Sequence, residues 1–106
     1  MTRVCVLAPE GKVSYPDVNV EDPHAMHELL HGYMELIPLP APLADKGLVG
    51  LVDEEGLFKD PIMPNVYSRA LGQPLVGPVI IARSEPPEFV DLTDADMLVL
   101  SEIFGW

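Results

Sequence analysis

The sequence is short of three things that define whole classes of protein: cysteine, basic side chains and long apolar runs. A single cysteine, Cys5, cannot build a disulfide framework, which favours a reducing compartment. Because Cys5 lies in the apolar run RVCVLA, we expect it to be a small buried hydrophobic residue. No run approaches the roughly 18 apolar residues of a membrane span, and the N-terminal run is too short for a signal peptide. We therefore expect a cytoplasmic protein with no membrane partner.

The shortage of basic residues leaves a strong negative charge. Six Lys and Arg face seventeen Asp and Glu, for a formal net charge of −11. Such a chain repels the phosphates of nucleic acids, so direct DNA or RNA binding is not expected. The charge keeps a protein soluble, and it also favours attraction to a basic partner, including a protein that handles nucleic acid.

What the sequence does contain predicts one α+β domain over residues 1–106. Its 106 residues, 48% of them hydrophobic, suffice for one core. Turn residues divide the chain in the order β-β-α-β-β-α-β-α, with strands at 3–8, 11–15, 33–39, 47–52 and 77–83 and helices at about 23–31, 65–71 and from 93 onward. This order predicts a mixed or antiparallel sheet packed with two to three short helices. Between the third and fourth strands, alternate prolines predict a stiff, extended loop.

Local signals mark the last two helices. Asn65 is expected to cap the second helix and Gly72 to end it. Thr93 followed by Asp96 has the spacing of a capping box. The C-terminal helix, within residues 92–106, is apolar nearly all round, which is typical of a helix that is sandwiched in the core or holds a partner.

The first helix contains HELLH, the pattern of zinc peptidases, in His27, Glu28 and His31. Asp22 is expected to cap this helix and Gly32 to end it as its left-handed residue. One hypothesis is that the protein is a small metal-dependent hydrolase in which the two histidines bind the metal ion. The alternative hypothesis is that this is a surface helix and that its polar residues match the motif by coincidence.

The residue pattern favours the surface helix. Ala25, Met26, Leu29 and Leu30 form an apolar stripe, and the histidines with Glu28 are expected to point the other way. His24 lies about 10 Å along the axis from His31, too far for both to bind one ion. No serine elbow, phosphate-binding glycine loop or third-ligand motif accompanies them. We therefore expect no enzymatic activity, no catalytic residue, no metal and no cofactor.

About half the chain resembles a family of small proteins catalogued as domain of unknown function, number 3846. The resemblance lies in ELLHGYMEL (28–36), VDEEG (52–56), PN with ALG after it (64–72) and GPVII (77–81), in that order. Members look to be encoded largely by phages, plasmids and other mobile elements, so the resemblance implies such an origin. It implies no catalytic residue, and it places a glycine where this chain has His31. As shared architecture, Gly56 is expected to supply a positive φ in its turn and Asn65 to cap the second helix.

The acidic tail suggests how such a protein acts. Every acid after Arg83 is expected to be uncompensated, and aromatic side chains accompany them. We therefore predict an accessory protein that binds a host protein, in the host cytoplasm, through Glu85, Glu88, Phe89, Asp91, Asp94, Asp96, Glu102, Phe104 and Trp106. The remaining alternative is a homo-oligomeric structural module joined through the C-terminal helix.

Overall fold

The computed structural model describes residues 1–56 and 62–105, which form eight strands and four helices. The strands are β1 (Thr2–Arg3), β2 (Cys5–Leu7), β3 (Val13–Ser14), β4 (Asp17–Val18), β5 (Met34–Ile37), β6 (Leu48–Asp53), β7 (Val79–Glu85) and β8 (Glu88–Val90). The helices are α1 (Pro23–Leu30), α2 (Ala41–Ala44), α3 (Ser68–Leu71) and α4 (Asp94–Phe104).

Six strands form one sheet in which every pairing is antiparallel. The order is β3-β2-β7-β6-β5, with β8 also paired to β7, while β1 and β4 form a separate two-stranded ribbon. The predicted α+β class and antiparallel sheet are confirmed. The predicted two to three helices are too few, because the described residues contain four.

The core has two parts because the central strand is buried on both faces. Val79 and Ile81 of β7 belong to the cluster that includes Leu100 and Phe104 of α4. Ile80 and Ala82 belong to the cluster that includes Met26 and Leu30 of α1. Helix α1 therefore covers one face of the sheet and α4 covers the other. Two-sided burial explains why the segment VIIA has no polar alternation.

Three elements were not predicted: one short helix and two short strands. Helix α2 occupies part of the segment predicted to be an extended loop, because a proline is tolerated within the first turn of a helix. Strands β4 and β8 are two and three residues long; β4 pairs with the more distant β1, and β8 pairs with β7, from which two residues separate it. The first predicted strand is two strands, since Val4 between them donates its backbone N–H to Pro16 O at 3.0 Å.

The second helix is shorter than predicted, and Asn65 does not cap it. Asn65 is buried, and its Nδ2 donates to Leu7 O at 3.1 Å and to Gly77 O at 3.0 Å. Its Oδ1 accepts from the backbone N–H of Tyr67 at 2.9 Å in a turn that precedes α3. The Asn65 side chain therefore links the end of β2 to the segment that precedes β7 through hydrogen bonds. The predicted stop is confirmed, because Gly72 has a φ of 73°.

The described part of the chain, residues 1–56 and 62–105, contains no helix long and apolar enough to cross a membrane.

Candidate functional site

Helix α1 ends one residue earlier than the sequence predicts, and this changes the HELLH geometry. Asp22 caps the helix as expected, accepting from His24 N at 2.9 Å. The left-handed residue at the other end is His31, with a φ of 62°, and not Gly32. Because the backbone leaves the helix at His31, this side chain does not continue the helical face of His27. The expectation that the two histidines share one helical face is wrong.

Gly32 serves a different purpose from the one predicted. A Cβ at Gly32 would lie 2.1 Å from Oδ1 of Asp53, so any larger residue here would require the Asp53 carboxylate to shift. His31 adopts the left-handed conformation immediately before that contact. It lines a cavity of about 130 Å³ together with Asp53 and Leu30. The second histidine of the motif therefore faces the end of β6.

The other polar side chains of α1 are exposed, as predicted. His24 Nε2 lies 3.1 Å from Glu28 Oε1, and both side chains are largely in solvent. The His27 ring packs edge-on against Tyr33, with 5.1 Å between ring centroids. Over residues 1–56 and 62–105, no group of three His, Cys, Asp or Glu side chains is placed to hold a metal ion.

Cys5 is confirmed as a buried residue of the core. Burial raises the pKa of its thiol to about 12, although a hydrogen bond with Tyr15 works in the opposite direction. A thiol with such a pKa stays protonated at neutral pH, and the thiolate is the nucleophilic form. The arrangement therefore suits packing and does not suit nucleophilic chemistry.

Among the acids predicted to bind a partner, Asp96 is a structural residue. It is 3% exposed and forms the predicted capping box with Thr93, accepting from Thr93 N at 2.8 Å. Arg83 Nε donates to its Oδ2 at 2.7 Å and Arg83 Nη2 to its Oδ1 at 2.5 Å. The expectation that every acid after Arg83 is uncompensated is wrong here, because β7 places that arginine against the first turn of α4.

Phe104 is also removed from the exposed surface. It is buried in the α4-side core, where its ring meets Tyr67 edge-on with 5.1 Å between centroids. The Tyr67 hydroxyl, whose nearer acceptor is Gly11 O, also lies 3.2 Å from Phe104 O, and the Tyr15 hydroxyl donates to Gly105 O at 3.0 Å. The end of α4 is thus held by two tyrosines. Trp106 lies outside the described residues.

Four of the predicted acids remain exposed near the β7–β8 hairpin. Glu85 pairs directly with Glu88 in the β7–β8 register. Asp91 follows β8, where its Oδ1 accepts from Arg3 N at 2.8 Å, and Asp94 begins α4. We call Glu85, Glu88, Asp91 and Asp94 the acidic hairpin surface. Within the described residues, none of these four carboxylates forms an ion pair with a basic side chain.

The last two predicted contacts lie apart from this surface. Glu102 is exposed in the last turn of α4, about 12 Å along the helix axis from Asp94. Phe89 of β8 is partly buried and packs against the α1-side core, on the opposite face of the sheet from Arg83. The nine predicted residues therefore do not form one surface.

A second candidate surface, the open edge of β5, was only partly foreseen. The sequence predicted a strand over residues 33–39, and the strand found there, β5, is the outermost strand of the described sheet. The sequence did not show that Met34 and Leu36 would stay 40% and 54% exposed. They do so because α1, with only eight residues, covers the centre of its face and leaves this margin open.

Comparison with protein-family models, curated proteins and solved structures finds no match for this chain. The resemblance to family 3846 therefore stays a prediction.

Proposed function

We propose that this protein is a non-enzymatic, acid-rich binding module that acts by holding a basic surface of another protein. The observation that carries the proposal is the register of the β7–β8 hairpin, which sets Glu85 directly opposite Glu88. Like charges directly opposite each other in an antiparallel pair destabilise the pair. A basic partner would relieve this repulsion on binding.

The rest of the acidic hairpin surface supports the same interpretation. Asp91 and Asp94 follow the hairpin along the chain and add two exposed carboxylates to its negative potential. Arg83, the nearest basic side chain along β7, is hydrogen-bonded to Asp96, and its interaction with Glu85 is a weaker Coulombic attraction. Charges of one sign on a surface increase the association rate with a surface of the other sign, and salt weakens the effect.

The resemblance to family 3846 suggests the origin of the protein and the kind of partner that it binds. We propose that the protein is an accessory protein of a phage or another mobile element and that its partner is a protein of the host cytoplasm. A host protein that handles nucleic acid has the basic surface that an acidic module would recognise.

The proposal is tested by capture from host lysate with three immobilised proteins at low and moderate salt. The wild type is compared with Glu85→Gln/Glu88→Gln and with Glu10→Gln/Asp45→Asn, which loses the same charge at exposed positions elsewhere. We expect one partner to be retained by the wild type and the control, and to be lost or reduced about tenfold with the hairpin variant. Equal retention by all three proteins, or no retained protein at either salt, would contradict the proposal.

A further inference from the structure

The outer edge of β5 carries backbone groups that no described strand pairs with, in a fixed pattern. Tyr33 O accepts from Glu54 N at 2.9 Å, and the register pairs Met34 with Asp53 and Leu36 with Leu51. In an antiparallel ladder, residues that exchange hydrogen bonds alternate with residues whose N–H and C=O point to the other side. The N–H and C=O groups of Met34 and Leu36 therefore point outward, where no described strand pairs with them.

The two faces of this edge differ in chemistry. On the α1 face, Met34 and Leu36 are exposed, and a cavity of about 260 Å³ lies between Met34 and the buried residues Val20 and Met26. On the α4 face, Glu35 borders a cavity of about 130 Å³. The apolar residues Ile37, Val52 and Leu75 line that cavity together with the polar Asp53 and Gln73, and Glu54 joins Glu35 as a second exposed carboxylate.

Such a cavity matches one kind of side chain. Lysine and arginine bury an apolar stem and keep a charged head at the surface, so the apolar lining suits the stem and the carboxylates suit the head. A strand added to a sheet edge presents alternate side chains to opposite faces. The β5 edge would therefore select a strand in which basic residues alternate with apolar ones.

A second copy of this chain fits the edge poorly. Two β5 strands that pair through their outward groups with the fullest overlap match Met34 with Leu36 of the other copy. That register sets Glu35 directly opposite the Glu35 of the other copy, and like charges so placed are destabilising. Both copies would also bring a net charge of −11 to the interface.

We propose that the β5 edge binds an extended segment of a partner protein in which Lys or Arg alternates with apolar residues, as an added antiparallel strand. This inference rests on the proposed function, since it names the chemistry of the basic partner. The prolines that follow the strand limit the pairing to about four residues, because proline has no N–H to donate. The backbone groups of Met34 and Leu36 give affinity, and the two faces give specificity.

Synthetic peptides of seven residues test the proposal through fluorescence anisotropy. We expect an alternating Lys/Val peptide to bind at least about tenfold more tightly than a block isomer of the same composition or an alternating Gln/Val peptide. N-methylation of alternate peptide amides should abolish binding in one of the two possible sets and spare it in the other. Equal binding of the alternating and block peptides, or of the Lys and Gln peptides, would overturn the proposal.

Two protein variants separate the edge from the acidic hairpin surface. Leu36→Pro removes the outward N–H while the ladder to β6 remains, and Leu36→Thr loses the same apolar side chain but keeps the N–H. We expect Leu36→Pro to abolish binding of the Lys/Val peptide and Leu36→Thr to weaken it only several-fold. If Leu36→Pro does not fold, the binding of N-methylated peptides to the wild-type protein still tests whether backbone hydrogen bonds to β5 are required.

The outcomes distinguish the two proposals. Binding that is lost in Glu85→Gln/Glu88→Gln but kept in Leu36→Pro would overturn edge docking and leave the proposed function standing. The peptide could still bind the β5 edge while capture of every lysate protein is independent of Glu85 and Glu88. That result would support docking at the β5 edge and contradict the proposed role of the acidic hairpin surface. A wild-type dimer in sedimentation that Leu36→Pro converts to a monomer would assign the edge to a second copy and overturn the proposal.

Discussion

Asp96 and the Glu85–Glu88 pair belong to the same acid-rich stretch of sequence, but the fold uses them in opposite ways. Asp96 is buried and accepts hydrogen bonds from Arg83 and from the backbone of Thr93. Glu85 and Glu88 are exposed, face each other across a hairpin and form no ion pair with a basic side chain within the described residues. The difference shows that the contribution of an acidic residue to stability depends on its position relative to the start of a helix and to an arginine on a neighbouring strand.

The largest expected effect comes from removing the buried acid. Asp96→Ala leaves the guanidinium of Arg83 without its partner and removes half of the capping box. Breaking a buried ion pair by removing one member destabilises a protein by about 3–5 kcal/mol, and the partial exposure of Arg83 places this case near the lower value. Urea denaturation measures the loss.

Asp94→Ala is the matched control for that substitution. Asp94 is an exposed acid in the same first turn, where the helix dipole stabilises a negative charge. We expect its loss to cost below about 1 kcal/mol. Equal destabilisation by the two substitutions would show that the Arg83 pair contributes nothing beyond a charge at the helix start.

The same pair predicts a pH dependence. Burial acts to raise the pKa of Asp96, but hydrogen bonds from Arg83 and Thr93 outweigh it and hold the pKa below its ordinary value of 3.8. Because the folded pKa is the lower one, the stabilisation is complete above the unfolded pKa and is lost as the pH falls through the folded pKa. The stability advantage of the wild type over Asp96→Asn should therefore shrink as the pH falls from about 5 to about 2.

Urea midpoints of both proteins across that range measure this effect. Other carboxylates titrate in the same window, but they are common to the two proteins and cancel in the difference. An advantage that stays constant with pH would mean that the ionised form of Asp96 is not what stabilises α4.

Features encoded within a few residues could be predicted from the sequence. The capping box of α4 needs only the spacing of Thr93 and Asp96, and the cap of α1 needs only Asp22 before a proline. The central strand could be predicted because two-sided burial demands a continuous run of apolar residues, which VIIA supplies. These parts of the fold follow from local chemistry.

Features that depend on long-range register could not be predicted. Asn65 has the composition of a helix cap, but its amide is held by Leu7 O and Gly77 O, which only the folded sheet brings near. Gly56 was expected to need a positive φ and does not adopt one; a Cβ there would instead lie 2.6 Å from Val76 Cγ2. The grouping of the predicted partner-binding residues could not be foreseen either, since neither the Arg83–Asp96 pair nor the Glu85–Glu88 register is visible along the chain.

The smallest expected effect has the opposite sign and isolates the exposed acids. Replacing both hairpin glutamates in Glu85→Gln/Glu88→Gln removes the repulsion across the hairpin while the side chains keep nearly the same size. We expect the free energy of unfolding to rise by a few tenths of a kcal/mol, up to about 0.5. The gain should shrink at high salt, because exposed charges are screened.

Urea denaturation at low and high salt measures this gain in stability, with Glu10→Gln/Asp45→Asn as the control for the change in net charge. A loss of stability in the hairpin variant would show that these acids hold the fold as Asp96 does, and it would remove the physical reason for assigning them to a partner.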